Sequence, residues 1–167
     1  QELDTTVNGG ATSFSPVFFG NKDSLAFASS RKQSTAPEGQ NPVYFSDIFF
    51  ATKKDSLRWQ GAKNFGIPIS TEMHEASGIF SNDGDKFFFT RWTSGMGEKE
   101  HAIYMSRFLN KQWLMPMKLN SNVNVGGFKS MNPSLNKQGT ILYFASDRPG
   151  GIGKMDLWYT PIDEFGK

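Results

Sequence analysis

A repeat constrains this chain more than any single residue does. Residues 132–159 (N-P-S-L-N-K-Q-G-T-I-L-Y-F-A-S-D-R-P-G-G-I-G-K-M-D-L-W-Y) read as strand, tight turn, strand, glycine-rich loop, strand, and two earlier stretches follow the same plan. Pro16-Val17-Phe18, Gly78-Ile79-Phe80 and Pro133-Ser134-Leu135 open the copies. After a turn come Leu25-Ala26-Phe27, Phe87-Phe88-Phe89 and Leu142-Tyr143-Phe144; Ile48-Phe49-Phe50, Ile103-Tyr104-Met105 and Leu157-Trp158-Tyr159 supply a third strand. Gly78 and Pro133 are 55 residues apart, and the pairs Ile103/Leu157 and Trp59/Trp113 are each 54 apart, whereas Pro16 and Gly78 are separated by 62. The surplus of 7 falls in one loop of the first copy, roughly Ser29 to Phe45. Length variation confined to one exposed connection is how a repeated scaffold behaves.

The repeats are expected at about 9–68, 69–123 and 124–167 of a single region, 1–167, the last lacking its outer strand. Leu3-Asp-Thr-Thr-Val7-Asn8-Gly-Gly and Leu119-Asn-Ser-Asn-Val123-Asn124-Val-Gly-Gly are matching lead-ins, with Ile69-Ser-Thr-Glu-Met73-His74 a looser third. Because the later two follow a strand that carries Trp59 or Trp113, the chain is expected to begin just after a missing fourth strand. Alternation in Phe87-Phe88-Phe89 puts the outer two rings on one side of a sheet and the middle one on the other. Four short antiparallel strands per ~50-residue unit, each burying its faces against its neighbours, make the fold all-β: a β-propeller segment of about three four-stranded blades, part of a larger closed propeller. In it Phe18, Phe80 and Leu135 fill the space between blades and the tryptophans cover the outer strands. A flat sandwich is the rival, with no reason to return one pattern at a fixed step.

Composition agrees and excludes other classes. Aromatic residues are 14% with 16 Phe, alongside 17 Gly and 8 Pro, a mixture suited to short aromatic strands and tight turns. A formal charge of +2 from dispersed Lys and Arg gives no footprint for nucleic acid. No apolar run approaches the ~20 residues of a membrane helix, and with no Cys there is neither disulfide nor thiol chemistry.

The third copy closely resembles the TolB-type, WD-like β-propeller repeat of OmpA-family envelope proteins of Bacteroidetes-type bacteria, whose members include the peptidoglycan-linked component of the type IX secretion system. The second copy keeps S-N-D-G-D-K-F-F-F-T and replaces the S-D-R-P-G-G segment by Arg91 to Gly97; the first keeps Ala28-Ser-Ser-Arg31 and then diverges. The resemblance implies a non-catalytic module in the periplasm of a Gram-negative bacterium, associated with the outer membrane or cell wall, docking other envelope or secretion-system proteins. The rest of its propeller, or a second chain, would complete the ring.

The loops between second and third strands and those leading into each copy should emerge on one side. They nominate Arg31, Lys32, His74, Glu75, Arg91, Trp92, Glu98, Asp147 and Arg148 as a partner-binding face, together with Asn132. Trp92 beside Arg91 suits an interface anchor; the bland alternative folds Trp92 back onto its own blade. Asp147-Arg148-Pro149-Gly150-Gly151 with Asp156 reads either as a hard-cation site or as a structural loop of Arg148, Gly150, Gly151 and Asp156. In the latter, which two carboxylates fit better, Arg148 bridges to Asp156. Asn82-Asp83-Gly84-Asp85 lacks the Glu of a calcium loop and suits a hairpin turn. His74 and His101, the only histidines, have no third ligand at zinc spacing. No metal, cofactor or catalytic group is expected. The alternatives are the propeller part of an enzyme, such as a peptidase cap or lyase, and a glycan- or calcium-binding propeller.

Overall fold

The structure is a computed structural model describing residues 2–20, 22–56, 58–93 and 100–166. Its described residues form strands, one 3-10 turn over Pro42–Tyr44, and no α-helix. The strands are β1 (Thr12–Phe19), β2 (Ser24–Ser30), β3 (Ser46–Lys53), β4 (Trp59–Asn64), β5 (His74–Phe80), β6 (Lys86–Trp92), β7 (His101–Leu109), β8 (Gln112–Trp113), β9 (Met117–Lys118), β10 (Ser130–Leu135), β11 (Ile141–Ser146) and β12 (Asp156–Pro161). They make three antiparallel sheets in chain order: β1 to β4, β5 to β8 with β9 paired back onto β7, and β10 to β12. The strand expected to carry Trp113 is thus split in two. Pro116 has no N–H to give the ladder, so pairing stops and resumes after it. The chain forms two compact units, residues 1–77 and 78–167, divided within β5.

Each first strand contains a local distortion that paces the repeat. Ser15, Ser77 and Asn132 adopt φ of 52°, 51° and 56°, and the register slips between Phe14 and Val17 in β1 and between Met131 and Ser134 in β10. A bulge leaves one residue unpaired and bends its strand. Its three positions stand 62 and 55 residues apart, the same steps as the sequence repeat. The hairpins follow turn chemistry: Gly84 (φ 75°) and Gly139 (φ 72°) donate to the Ser81 and Asn136 carbonyls at 2.9 and 3.0 Å. Asn110 and Lys111, both at positive φ, form a two-residue type I′ turn between β7 and β8.

In the first unit Phe27 and Phe49 face each other across β2 and β3 and share a core with Val7, Leu25 and Ala51. Trp59 packs on this core, and its ring reaches to 6.1 Å from Phe18 of the edge strand β1. Phe18, Leu25 and the small Ala51 stand in one cross-strand row, while Trp59 pairs with Lys53 two residues further along β3. The second sheet repeats the device: Phe80 and Phe87 lie 6.0 and 6.1 Å from Trp113, with Ser106 in the place of Ala51.

Within the second unit one repeat is buried face to face on the next. Phe88, Ile103 and Met105 pack with Leu119, Val123, Leu142, Phe144 and Ile162, flanked by Ile79, Leu135 and Trp158. The Asn132 N–H, at the bulge, donates to Thr90 Oγ1 at 3.0 Å across the same junction. Burying side chains of this size contributes about 1.5–3 kcal/mol each, so the junction is a core rather than a casual contact.

Two expectations need correcting here. Phe18, Phe80 and Leu135 do not play one part: Leu135 borders the junction, Phe80 is buried beneath Phe87 and Trp113 of its own sheet, and Phe18 is exposed beside Trp59. An edge-strand ring is drawn over a small third-strand residue towards the tryptophan, and Leu135 has no such partner. The third lead-in also sits four residues earlier than aligned. Ile69 and Ser70 donate to the Gly66 carbonyl as Val7 and Asn8 do to Asp4 and as Val123 and Asn124 do to Asn120. Ile69 is buried where Met73 is exposed.

Candidate functional site

The arginines nominated as a binding face turn inward. Arg31 lies over the rings of Phe27 and Phe49, at 5.2 and 4.8 Å, while its Nη1 and Nη2 donate to the Thr6 and Val7 carbonyls at 3.2 and 2.7 Å and its Nε to Ser29 Oγ at 3.0 Å. Arg148 repeats this over Phe144 and Trp158, donating to the carbonyls of Asn122 (2.8 Å) and Val123 and through Nε to Ser146 Oγ (3.1 Å). Each guanidinium thus ties a lead-in segment to its own sheet. The planar fork suits two neighbouring carbonyls and stacks on a ring pair, which a lysine cannot do. Burial draws both guanidinium pKa values below the usual arginine range. Arg91 lies two residues earlier relative to Phe89 than Arg31 does to Phe27. It still reaches the equivalent ring pair, Phe89 and Tyr104, at 5.3 and 4.8 Å.

Arg148 therefore does not bridge to Asp156, because its donors are taken up by carbonyls on the other side of the loop. The Asp156 carboxylate instead accepts the Gly153 N–H at 3.1 and 3.0 Å. A Cβ on Gly151 would stand 2.0 Å from Asp156 Oδ2, so that glycine is required for the carboxylate's close approach. Gly150 takes φ 98°. Asp147 accepts the Lys129 N–H at 2.6 Å, so the two aspartates serve different segments.

Sequence reasoning overlooked Asp47, which stands opposite Ser29 as Asp156 stands opposite Ser146. Its Oδ2 accepts the Thr35 N–H and Asn64 Nδ2 (2.6 Å), pinning the long loop to the end of β4. Oδ1 is buried without a hydrogen-bond partner, and burial pushes the carboxyl pKa up to about 6 against the opposing pull of those bonds. The shared word Asp-aliphatic-aromatic-aromatic, at 47–50 and 156–159, was the signal available.

Burial removes other candidates from a binding face. His74 stacks on Phe45 at 4.9 Å and accepts the Ser46 N–H through Nδ1; Glu75 accepts the Thr71 N–H and hydroxyl at 3.1 and 2.6 Å. Arg31 and Arg91 are likewise buried. Lys32 and Asn132 are exposed, Trp92 is half-buried with its ring stacked 5.3 Å from His101, and Glu98 lies outside the described residues. The lead-in and second-to-third loops do meet at one end of each sheet, joined by Arg31 in the first and Arg148 in the third. At the opposite, hairpin end of the second unit is a cleft of about 420 Å³ over Phe88, Leu135 and Ile162, with Asp83, Asp163 and Glu164 among its lining. Hydrogen bonding from Ser81 holds the Asp83 carboxyl well below the usual range, and Asp83 also accepts the Asp85 N–H as a turn residue does. Among the described residues no three His, Asp or Glu side chains converge as metal ligands would. No helix among them is long and apolar enough to cross a membrane.

Neither a family model nor a curated protein matches this chain.

Proposed function

We propose that the chain is a stretch of β-propeller acting as a non-catalytic docking scaffold in the cell envelope of a Gram-negative bacterium. The observation that carries the propeller part is the face-to-face burial of one repeat on the next inside the second unit. Blades of a propeller pack in this way, and the bulge recurring at Ser15, Ser77 and Asn132 gives the successive sheets one plan that a β-sandwich has no reason to keep. The docking part is supported by where the polar residues are spent. Arginines, aspartates and glycines shape the loop ends of the first and third sheets from within, and the second unit carries the exposed Asn132 and the half-buried Trp92. A half-buried tryptophan stacked on a histidine presents a rigid aromatic edge of the type that interfaces favour. The envelope setting, with other envelope or secretion-system proteins as partners, rests on the likeness of residues 132–159 to the TolB-type repeat.

The test begins with capture on the immobilised chain from an envelope extract, followed by titration of the purified partner. Trp92→Ala should weaken binding at least about tenfold, the loss of a hot-spot residue. A partner that binds this variant as tightly as the parent chain rules out the loop end of the second unit as the docking site.

A further inference from the structure

The hairpin of β7 and β8, with the strand after it, presents apolar side chains where the first sheet presents polar ones. Phe108 pairs with Trp113 as Lys53 pairs with Trp59, and Met105 pairs with Met117 as Phe50 pairs with Lys63, so the two outer edges can be compared residue by residue. Along them Lys53, Lys54, Gly61 and Lys63 are replaced by Phe108, Leu109, Met115 and Met117. The first four are exposed, and the second four remain 42%, 52%, 74% and 52% exposed. The first-sheet positions are open although a complete second sheet follows them in the chain, so this place in the repeat does not itself call for hydrophobes. Several exposed apolar side chains gathered on one short hairpin mark a surface that meets something other than water.

Two features say what that is. Phe108 and Leu109 are consecutive in β7, so they stand on opposite faces of the ribbon, and both are exposed near its tip. A protein groove covers one face of a hairpin, whereas the interfacial layer of a bilayer surrounds a tip on both. The charge is also of one sign: residues 101–146 hold Arg107, Lys111, Lys118, Lys129 and Lys137 and no Asp or Glu. Lys111 is exposed in the turn itself. Asp85, whose carbonyl accepts the Phe108 N–H at 2.7 Å, pairs its carboxylate with Lys86, and Glu100 pairs with Lys118. We propose that residues 107–118 dock this chain on a membrane surface, with Phe108, Leu109 and Met115 entering the interfacial layer and Lys111 and Arg107 lying against anionic phospholipid headgroups. Apolar burial and attraction to anionic lipid then act together, as at other peripheral membrane contacts. This surface is separate from the loop end that carries Trp92, and it does not depend on the docking role proposed above.

Cosedimentation of the 167-residue chain with sucrose-loaded vesicles tests this, using a mixture of phosphatidylglycerol and phosphatidylcholine in equal parts and phosphatidylcholine alone. At roughly 1 mM lipid and about 0.1 M salt the chain should pellet with the anionic vesicles and much less with the neutral ones. Leu109→Asp and Met115→Asp should each lower the partition coefficient at least about tenfold, and Lys111→Glu about fivefold or more. All three side chains are exposed, so the variants should keep the parent's circular dichroism and melting curve. Trp92→Ala should pellet as the parent does. A parent chain that stays in the supernatant with both kinds of vesicle overturns the proposal. Pelleting that survives both Leu109→Asp and Met115→Asp overturns it as well, being adsorption by charge alone. If vesicles are not bound and the same two variants instead lose an acidic protein that the parent captures, the patch belongs to that protein and the membrane reading falls.

Discussion

Gly78 is the position where a single methyl group should do the most damage. A Cβ there would lie 2.2 and 2.3 Å from Cζ and Cε2 of Phe87, while carbon atoms in contact prefer about 3.5–4.0 Å. The ring would have to retreat by more than ~1 Å. It has nowhere to go, being fully buried with Phe80 at 4.4 Å, Phe89 at 5.3 Å and Trp113 at 6.1 Å. Gly78→Ala should therefore cost about 2–3 kcal/mol, the upper part of the range for overpacking. For a chain of this size that lowers the melting temperature by roughly 4–12 °C. The other two sheets point to the remedy. They carry Pro16 and Pro133 at this position, and the residues equivalent to Phe87 are the smaller Leu25 and Leu142. Phe87→Leu alone should cost about 1–2 kcal/mol by loss of packing. Combined with Gly78→Ala it should be better than the sum of the two by at least ~1 kcal/mol, as expected for residues in contact. Urea titrations of the four proteins, read by tryptophan fluorescence, measure the cycle. A midpoint for Gly78→Ala equal to that of the parent, or strict additivity in the double variant, would refute the steric account.

Arg148→Lys should destabilise nearly as much as Arg148→Ala, by about 2 kcal/mol, since one ammonium cannot serve two carbonyls and stack on two rings; thermal melts in which lysine recovers most of the loss would argue against the fork. Gly151→Ala should displace the Asp156 carboxylate and cost about 1 kcal/mol by weakening its bond to Gly153, visible as faster amide exchange at Gly153; unchanged exchange counts against it. Asp47 has a folded pKa near 6 against an ordinary value of 3.8, so between those pH values the folded protein holds a proton that the unfolded chain has released. Stability from this group is therefore greatest below about pH 4 and declines as pH rises to 6. Asp47→Asn should flatten that part of the stability profile, and a carboxyl NMR titration of the parent chain with a midpoint at or below 4 would overturn the burial argument.

The features legible in the sequence were those set by local chemistry at fixed spacing. Turn glycines at 84 and 139 and the alternating Phe87-Phe88-Phe89 announced hairpins and a two-sided sheet, and the 55 and 62 residue steps are the distances between the bulges at Ser15, Ser77 and Asn132. Relationships across distance were not legible. A loop arginine reads the same whether it points to solvent or back over two rings, and only the coordinates show Arg31 and Arg148 reaching the Thr6–Val7 and Asn122–Val123 carbonyls. The third lead-in was misaligned because Ile69 and Met73 are both apolar. The turn at Gly66 decides between them, and its Pro68 hides the likeness to Asp4 and Asn120. The inserted loop hides Asp47: it stands 16 residues after Arg31, whereas in the shorter third copy Asp156 follows Arg148 by 8.

The guanidinium forks hold main-chain oxygens, not side chains, and this leaves the gripped peptide chemically uncommitted. Thr6-Val7 occupies the grip in the first sheet and Asn122-Val123 in the third: the buried valine is shared and the residue before it is not. Evolutionary drift, or a randomised library, can therefore rewrite that preceding position while the skeleton stays unchanged.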